Sequence, residues 1–222
     1  MQMPSCSALA PRALRPSPRH WKLIAAAVAL VAAGYAAMHV PLVARIQIQH
    51  ELKSFGTRAP VMMLGDSIAY ASSPQTLCGE EVFNAAVPGA GVADLLGQGV
   101  RLADRVQPRR VVVAIGVNDA ARSRADLQKW AAEYRQLVMS LSSEDLTLVE
   151  VNPLDSSFPA MTRLFDTDFI AQQNAIIRTL AAETGAHLVR APLTSETADG
   201  LHPNAGGTVL WRARLSQSAC AR

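Results

Sequence analysis

The feature that most constrains the fold is an alternation, from residue 60 onwards, of short apolar runs with longer helical patterns. The runs are rich in Val, Ile and Leu, as expected for strands buried on both faces. Because helices separate them, the strands should form a parallel, doubly wound sheet in an α/β domain. About five strands are predicted, at 61–64, 82–83, 111–115, 146–151 and 186–189, with helices at 92–106, 126–141, 169–184 and after Pro203.

A second apolar segment, residues 23–40, contains no formal charge over eighteen residues. As a helix it would be about 27 Å long, close to the roughly 30 Å of a bilayer's hydrocarbon core. Four basic residues precede it, and Trp21 lies where an interfacial aromatic residue is expected. The pattern predicts one N-terminal transmembrane helix. The predicted segments are a cytoplasmic basic leader at 1–22, a signal anchor at 23–43, a linker at 44–59 and the domain at 60–222; the stretch 41–59 could form a membrane-proximal helix instead of an irregular linker.

A cleaved signal peptide is an alternative, with a fair small-residue cleavage site at 34–36. Its apolar region is usually shorter than this one, which favours the uncleaved anchor. A buried core helix fits poorly because no polar stripe breaks the run. Both export readings place the domain outside the cytoplasm. We therefore expect a bacterial inner-membrane protein facing the periplasm, or a secreted one if the signal is cleaved.

The charge distribution argues against a nucleic-acid partner. The chain carries a formal net charge of +3, but five of its 21 Lys and Arg residues precede Glu51, the first acidic residue. Residues 46–222 therefore carry 16 basic against 18 acidic residues. A mildly acidic domain lacks the basic surface that binds phosphate backbones.

The cysteines fit an exported domain. Cys6 lies in the leader, which leaves Cys78 and Cys220 as a candidate disulfide in an oxidising compartment. The alternative is two unrelated free thiols, one of them buried.

Polar residues at the predicted strand ends have the chemistry of a nucleophilic serine site. Ser67 follows the first strand on a tight turn, and His202 lies after the last, with Asp199 three residues before it. Such a histidine can remove the serine proton while the carboxylate fixes its tautomer. The backbone amides of Ser67 and Gly89 and the side-chain amide of Asn118 are candidate oxyanion donors. Together they predict a catalytic triad with an oxyanion hole.

These residues also resemble the sequence blocks of the SGNH, or GDSL-type, hydrolase family. The resemblance covers about residues 60–220, and the four blocks are in the family's order. It implies a three-layer, flavodoxin-like fold and metal-free hydrolysis of esters through an acyl-serine intermediate. The matching segments are Gly65-Asp66-Ser67-Ile68, with Ile for the usual Leu; Asn84 to Gly89, with Ala86 where a further glycine is common; Gly116-x-Asn118-Asp119; and Asp199-x-x-His202.

Other motif readings are weaker. Residues 89–94 follow a strand and open a helix like a dinucleotide-binding loop, but Asp94 replaces the third glycine. The chain contains no P-loop, C-x-x-C or H-E-x-x-H motif, so we predict no cofactor and no metal.

The function predicted from the sequence is an exported serine esterase that hydrolyses carboxylic esters. Acetylated envelope saccharides and lipids both remain open as substrates, and the apolar segment 152–168 is a candidate rim over the site. An O-acyltransferase that passes the acyl group to a polysaccharide is one alternative. A non-catalytic glycan-binding envelope protein is another, and the N-terminal helix would attach either one to the membrane.

Overall fold

The computed structural model describes residues 18–141, 145–191 and 196–221. They divide into two units, and the boundary in the chain lies between Leu42 and Val43. The first contains helix α1 (Pro18–Met38), and the second contains nearly all of helix α2 (Leu42–Ser54) and everything that follows. Residues 1–17, including Cys6, lie outside the described residues.

The transmembrane span predicted at 23–43 is not supported. Helix α1 ends at Met38, and α2 begins at Leu42, inside the predicted span. Across the described ranges, no helix combines the length and the hydropathy that crossing a membrane requires. Most of the predicted linker at 44–59 is helical, because α2 extends to Ser54.

The second unit is built on a mostly parallel sheet, which confirms the predicted α/β class. The strand order is β2-β3-β1-β4-β5-β6, so the chain starts in the interior of the sheet and builds outwards in both directions. All neighbouring pairs are parallel except β2 and β3. The strands are β1 (Val61–Gly65), β2 (Thr76–Leu77), β3 (Glu80–Asn84), β4 (Arg110–Ala114), β5 (Asp145–Val149) and β6 (His187–Val189).

The predicted count of about five strands omits β2. This strand has two residues and joins β3 through a two-residue turn at Cys78 and Gly79, both with positive φ. Such a turn suits a tight antiparallel hairpin. Two residues carry no periodic signal, so the strand could not be recognised from hydropathy.

Helices cover both faces of the sheet. Right-handed crossovers place the helices after β3, β4 and β5 on one face. Contacts of α6 with α4 and α8, and of α3 with α9, agree with this layering. The remaining helices are α3 (Ser67–Ser72), α4 (Val92–Asp94), α5 (Val100–Val106), α6 (Leu127–Ser140), α7 (Pro159–Leu164), α8 (Thr167–Thr184) and α9 (Ala205–Ala219), with a π-helical turn, Leu95–Gly99, between α4 and α5.

Local sequence explains where several helices begin and end. The side chains of Asp66, Asp126, Asp166 and Asn204 accept backbone N–H groups at the starts of α3, α6, α8 and α9. Gly185 ends α8 with a φ of 71°, the left-handed conformation that a predicted C-cap glycine needs. The caps fix the helix starts next to the strand ends, where the candidate site lies.

The core lies between the sheet and the two helical layers. The side chains of Val61, Met62, Met63 and Leu64 in β1 are fully buried. On one side, Tyr134 of α6 is also fully buried and stacks on Trp130, with ring centroids 4.8 Å apart. A central strand buried on both faces matches its continuous apolar sequence.

A disulfide joins the edge of the sheet to the end of the chain. Cys78, in the turn between β2 and β3, is bonded to Cys220, directly after α9, with their Cα atoms 5.4 Å apart. The bond closes a loop of 142 residues. The bond thereby joins a short edge strand covalently to the terminal helix.

Removing this disulfide should destabilise the domain. The chain-entropy model gives about 5 kcal/mol for a loop of this length, as an upper figure. We expect the Cys78→Ser/Cys220→Ser variant to show a lower free energy of unfolding in urea than the wild type. The wild type in reductant should resemble that variant, and Cys6→Ser should not differ from wild type. Equal stability with and without reductant would contradict the prediction.

Candidate active site

Ser67 owes its position to a close contact between β1 and β4. A Cβ atom on Gly65 would lie 2.3 Å from the carbonyl oxygen of Ala114 and 2.5 Å from the Cβ of Ala69, so no larger residue fits. Asp66 then caps α3, where its Oδ1 accepts the N–H of Ile68 at 2.9 Å. Ser67 is the first residue of α3, at the carboxyl end of β1. Ligand sites of parallel sheets lie at this edge.

The structure brings the three predicted catalytic residues together. The Oγ of Ser67 lies 2.9 Å from Nε2 of His202, and Nδ1 of His202 lies 2.7 Å from Oδ2 of Asp199. The other oxygen of Asp199 accepts the N–H groups of Leu201 and His202, at 3.0 and 2.8 Å. The serine hydroxyl, imidazole and carboxylate therefore form one hydrogen-bonded chain.

The protonation of Asp199 suits this arrangement. Partial burial raises the pKa of its carboxyl, but the hydrogen bonds from His202 and Leu201 outweigh burial and hold the pKa below its ordinary value. The group is therefore a carboxylate at neutral pH and accepts the Nδ1–H of His202. This tautomer leaves Nε2 without a proton, ready to accept the one on Ser67.

The loop after β3 carries the predicted oxyanion donor Gly89. The N–H groups of Ala85 and Val87 donate to the carbonyls of Met63 and Gly65, both at 2.9 Å, so the loop continues along β1 beyond the end of the strand. Gly89 has a φ of 78°, a conformation that favours glycine. Among the described residues, no acceptor takes its N–H. This amide is therefore free to donate to a ligand.

The side chains of Asn118 and Asp119, in the segment that follows β4, hydrogen-bond the loop that carries Gly89. Asn118 Nδ2 donates to the carbonyl of Ala90 at 2.9 Å, and its second amide hydrogen remains for a ligand. Both carboxylate oxygens of Asp119 accept the N–H of Val92, at 3.3 and 3.2 Å. A Cβ on Gly91 would lie 2.6 Å from Asp119 Oδ1, so the close approach requires glycine. Asp119 thus positions the loop that carries Gly89, the predicted oxyanion donor.

Two carboxyl groups next to the site, one buried and one half-buried, have raised pKa values. Burial raises the pKa of Asp66 to about 7, although backbone hydrogen bonds from Ile68 and Ala69 oppose the shift. Burial also raises the pKa of Asp119 to about 6. Neither carboxyl hydrogen-bonds the imidazole of His202, whose Nδ1 is paired with Asp199. Within the described ranges, no group of three or more His, Cys, Asp or Glu residues could hold a metal ion.

Asp155 is a residue of the site that the sequence did not reveal. Its Oδ2 accepts the hydroxyl of Thr197 at 3.1 Å, and that hydroxyl oxygen accepts the N–H of Gly200 at 3.2 Å. The N–H of Asp155 donates to the carbonyl of Gly200 at 3.0 Å. Asp155 therefore links the segment after β5 to the loop that carries Asp199 and His202.

The neighbours of Asp155 strengthen this link. The N–H and hydroxyl of Ser157 donate to its Oδ1, at 2.9 and 2.7 Å, and these bonds hold the pKa of the carboxyl below its ordinary value. Gly200 has a φ of 91°, and a Cβ there would lie 2.5 Å from the Cβ of Phe158. The segment predicted as an apolar rim thus also supports the catalytic loop. The available signal was an Asp-Ser-Ser turn a few residues after the end of a predicted strand.

The raised pKa of Asp66 predicts a pH-dependent stability difference. The folded protein holds this proton more tightly than the unfolded chain, so ionisation of Asp66 destabilises the fold as the pH rises from about 4 to about 7, by at most about 1.4 kcal/mol per pH unit. Asn at position 66 keeps the capping oxygen but does not titrate. The unfolding free energy of Asp66→Asn minus that of the wild type should therefore increase over this range in urea titrations.

Taking the difference in unfolding free energy between Asp66→Asn and the wild type removes the contribution of other titrating groups. Burial lowers the pKa of His50 to about 4, which changes stability in the opposite direction over part of this range. That contribution cancels in the difference, because both proteins contain His50. A difference that stays constant with pH would show that Asp66 does not titrate there.

Loss of the Asp155 carboxylate should slow catalysis more than it weakens substrate binding. We expect Asp155→Ala to lower kcat by about tenfold or more, because a misplaced imidazole raises the barrier by about 1.4 kcal/mol per factor of ten. KM should change little. Asp155→Asn retains one acceptor oxygen, so its kcat should lie between those of the wild type and Asp155→Ala. Steady-state kinetics of the three proteins would test this, and an Asp155→Ala enzyme with unchanged kcat would contradict it.

Solved structures with this fold come from several bacteria. A protein from Streptococcus pneumoniae, named for platelet activating factor, has a TM-score of 0.68 at 18% identity and covers 87% of this chain and 98% of its own. A GDSL-like lipase from Bacteroides thetaiotaomicron has a TM-score of 0.65 at 18% identity, covering 77% and 95%. An acetylxylan esterase from Geobacillus stearothermophilus has a TM-score of 0.61 at 18% identity, covering 76% and 97%.

No curated protein matches the sequence closely enough to extend these comparisons. The family model of the GDSL-like lipases and acylhydrolases, however, matches residues 63–209. This range begins in β1 and ends within α9, so it includes every predicted catalytic and oxyanion residue. The chain belongs to the GDSL-like lipase/acylhydrolase family, the SGNH hydrolases, and is an acylhydrolase of the esterase type.

Proposed function

We propose that this protein is an exported esterase that removes short acyl groups from saccharides by way of an acyl-serine intermediate. The observation that carries the proposal is the continuous hydrogen-bonded chain from Asp199 through His202 to Ser67. A serine hydroxyl paired with an oriented imidazole is the arrangement that nucleophilic acyl transfer requires.

In the first half of the reaction, Ser67 Oγ attacks the ester carbonyl while Nε2 of His202 takes the hydroxyl proton. The carbonyl oxygen becomes an oxyanion and accepts hydrogen bonds from the amides of Ser67 and Gly89 and from Asn118 Nδ2. The imidazolium is stabilised by the Asp199 carboxylate. Its Nε2–H then protonates the departing alcohol oxygen as the bond between carbon and alcohol breaks, which leaves the acyl group on Ser67.

In the second half, water replaces the alcohol. His202 removes a proton from the water as its oxygen attacks the acyl carbon, and the same donors stabilise the second oxyanion. The ester bond to Ser67 breaks, the serine oxygen regains its proton from His202, and the acid is released. A saccharide hydroxyl in the place of water would give the acyltransferase alternative.

The exposure of the triad supports a saccharide ester as substrate. The side chains of His202 and Asp199 are 41% and 49% exposed, so the reacting groups lie at an open surface and not at the end of a deep tunnel. An open surface can accept one acyl group of a large, hydrophilic polymer. The acetylxylan esterases among the similar structures add support, since that name describes removal of acetyl groups from a polysaccharide.

The disulfide supports the proposed export. A bond between Cys78 and Cys220 persists in oxidising compartments such as the bacterial periplasm and is rare in the cytosol. Export would also bring the open site to the polysaccharides of the cell envelope.

Hydrolysis of p-nitrophenyl esters tests the proposal. We expect p-nitrophenyl acetate to be hydrolysed with a higher kcat/KM than the decanoate, and acetylated xylan to release acetate. Ser67→Ala should abolish turnover. Asn118→Ala should lower kcat by about 10²–10³, the usual effect of removing one oxyanion donor.

The controls separate the competing functions. Ser140→Ala, at the end of α6 and outside the site, should retain full activity. Slow hydrolysis that an added acceptor saccharide accelerates would favour the acyltransferase. A folded wild-type protein without serine-dependent turnover on any of these esters would refute the proposed esterase.

A further inference from the structure

Helix α2 exposes a stripe of large apolar side chains, although it also packs against the domain. Ile48, Leu52 and Phe55 are 52%, 66% and 74% exposed. Their spacing of four and three residues puts them on one side of the helix and its end. The opposite side carries the buried residues Ile46 and His50. We call the three exposed residues the α2 stripe.

Several basic side chains lie in the same region as the α2 stripe. The Arg105 guanidinium lies 4.3 Å from the centre of the Phe55 ring. Lys53 and Arg58 are exposed, and Arg101 is 57% exposed on the neighbouring helical segment. These cations gather within a unit whose overall charge is slightly negative, so their concentration at α2 is local.

Few acidic groups offset this positive charge. Glu51 is the one acidic residue of α2, and it pairs with Arg101 at 2.7 Å and with Arg105 at 2.6 Å. The hydrogen bond from Arg101 and the one from Arg105 lower the pKa of Glu51. The carboxylate is therefore ionised and shared between two guanidinium groups. Asp104 is the acidic residue of α5. The surface around the stripe therefore keeps a net positive charge.

We propose that the α2 stripe docks the esterase domain on the surface of an anionic lipid bilayer. The three apolar side chains enter the boundary between headgroups and acyl chains, and the surrounding Lys and Arg side chains contact lipid phosphates. Exposed apolar residues rimmed by cations have the complementarity that such a surface requires. Docking parallel to the membrane differs from a transmembrane anchor, because no backbone crosses the hydrocarbon.

The position of α2 in the chain favours lipid over a protein partner. It follows directly on α1, whose side chains Leu23, Ile24 and Val28 are also exposed. Two successive helices thus present apolar surface, and the second adds a cationic rim. Burying an apolar side chain is worth about 1.5–3 kcal/mol, so three partly inserted side chains supply reversible binding rather than permanent anchoring.

Flotation with lipid vesicles tests the proposal. Residues 43–222, which form one compact unit, and the full chain would each be mixed with phosphatidylcholine vesicles, with or without phosphatidylglycerol. We expect residues 43–222 to float with the anionic vesicles and to be released by salt. Ile48→Ser/Leu52→Ser/Phe55→Ser should lower the bound fraction by ~10-fold or more.

A matched control changes exposed apolar residues elsewhere. Val209 and Leu210 of α9 are 65% and 47% exposed, and Val209→Ser/Leu210→Ser should bind anionic vesicles like the wild type. Hydrolysis of p-nitrophenyl acetate, or unchanged circular dichroism if the domain proves inactive, would show that each variant is folded.

Several results would overturn the proposal. Equal binding by the triple serine variant would assign lipid affinity to another surface. Absence of binding by residues 43–222 would exclude a lipid partner for the stripe. A dimer in light scattering that the triple variant abolishes, without vesicle binding, would assign the stripe to a second copy of the chain. Binding by residues 43–222 but not by the full chain would show that the first 42 residues cover the stripe.

Discussion

The site depends on the close approach of β1 and β4 at Gly65. The hydrogen atom in place of a side chain lets β1 end against the carbonyl of Ala114, and the chain turns directly into α3 with Ser67 at its start. The Gly65 carbonyl also accepts the N–H of Val87, which aligns the Gly89 loop beside the serine. One backbone contact therefore positions both the predicted nucleophile and the loop that carries a predicted oxyanion donor.

The residues predicted to be catalytic were recognisable because each follows a strand. Periodicity located β1, β3, β4, β5 and β6, and the carboxyl ends of parallel strands meet at one edge. Asp155 was not recognised, because its role arises from a contact with Thr197, 42 residues later in the chain. Strand β2 was not recognised either, because it is held by the turn at Cys78 and Gly79 and by the disulfide to Cys220. Local patterns describe what a segment can form, whereas these features depend on what lies next to it.

Hydropathy alone also overestimated the apolar N-terminal segment. Hydropathy predicted one continuous span, while the structure divides the segment between two helices at residues 39–41, which include Pro41. Proline restricts the residue before it to extended conformations, which explains why α1 ends here. The helical content of the predicted linker follows from Ile46 and His50, whose burial against the domain is not visible in the order of residues.

Two carboxyl groups near His202 have opposite electrostatic environments. Asp66 is buried and holds its proton towards neutral pH, whereas Asp199 is half-exposed, hydrogen-bonded and ionised. The carboxylate that hydrogen-bonds the imidazole is therefore Asp199, on its Nδ1 side, and this bond favours one tautomer. Pairs of acids with divergent pKa values divide structural and catalytic roles in this way.

The disulfide is connected through α9 to α3, the helix that begins with Ser67. Cys220 holds the end of α9, and Arg212 within α9 donates to the carbonyls of Ser72 and Ser73, where α3 ends. Without the disulfide, packing and hydrogen bonds such as those of Arg212 would hold α9, and its last turn would lose its covalent link to the sheet. Oxidation of Cys78 and Cys220 therefore fixes not only the edge of the sheet but also, through α9, the helix that begins with Ser67.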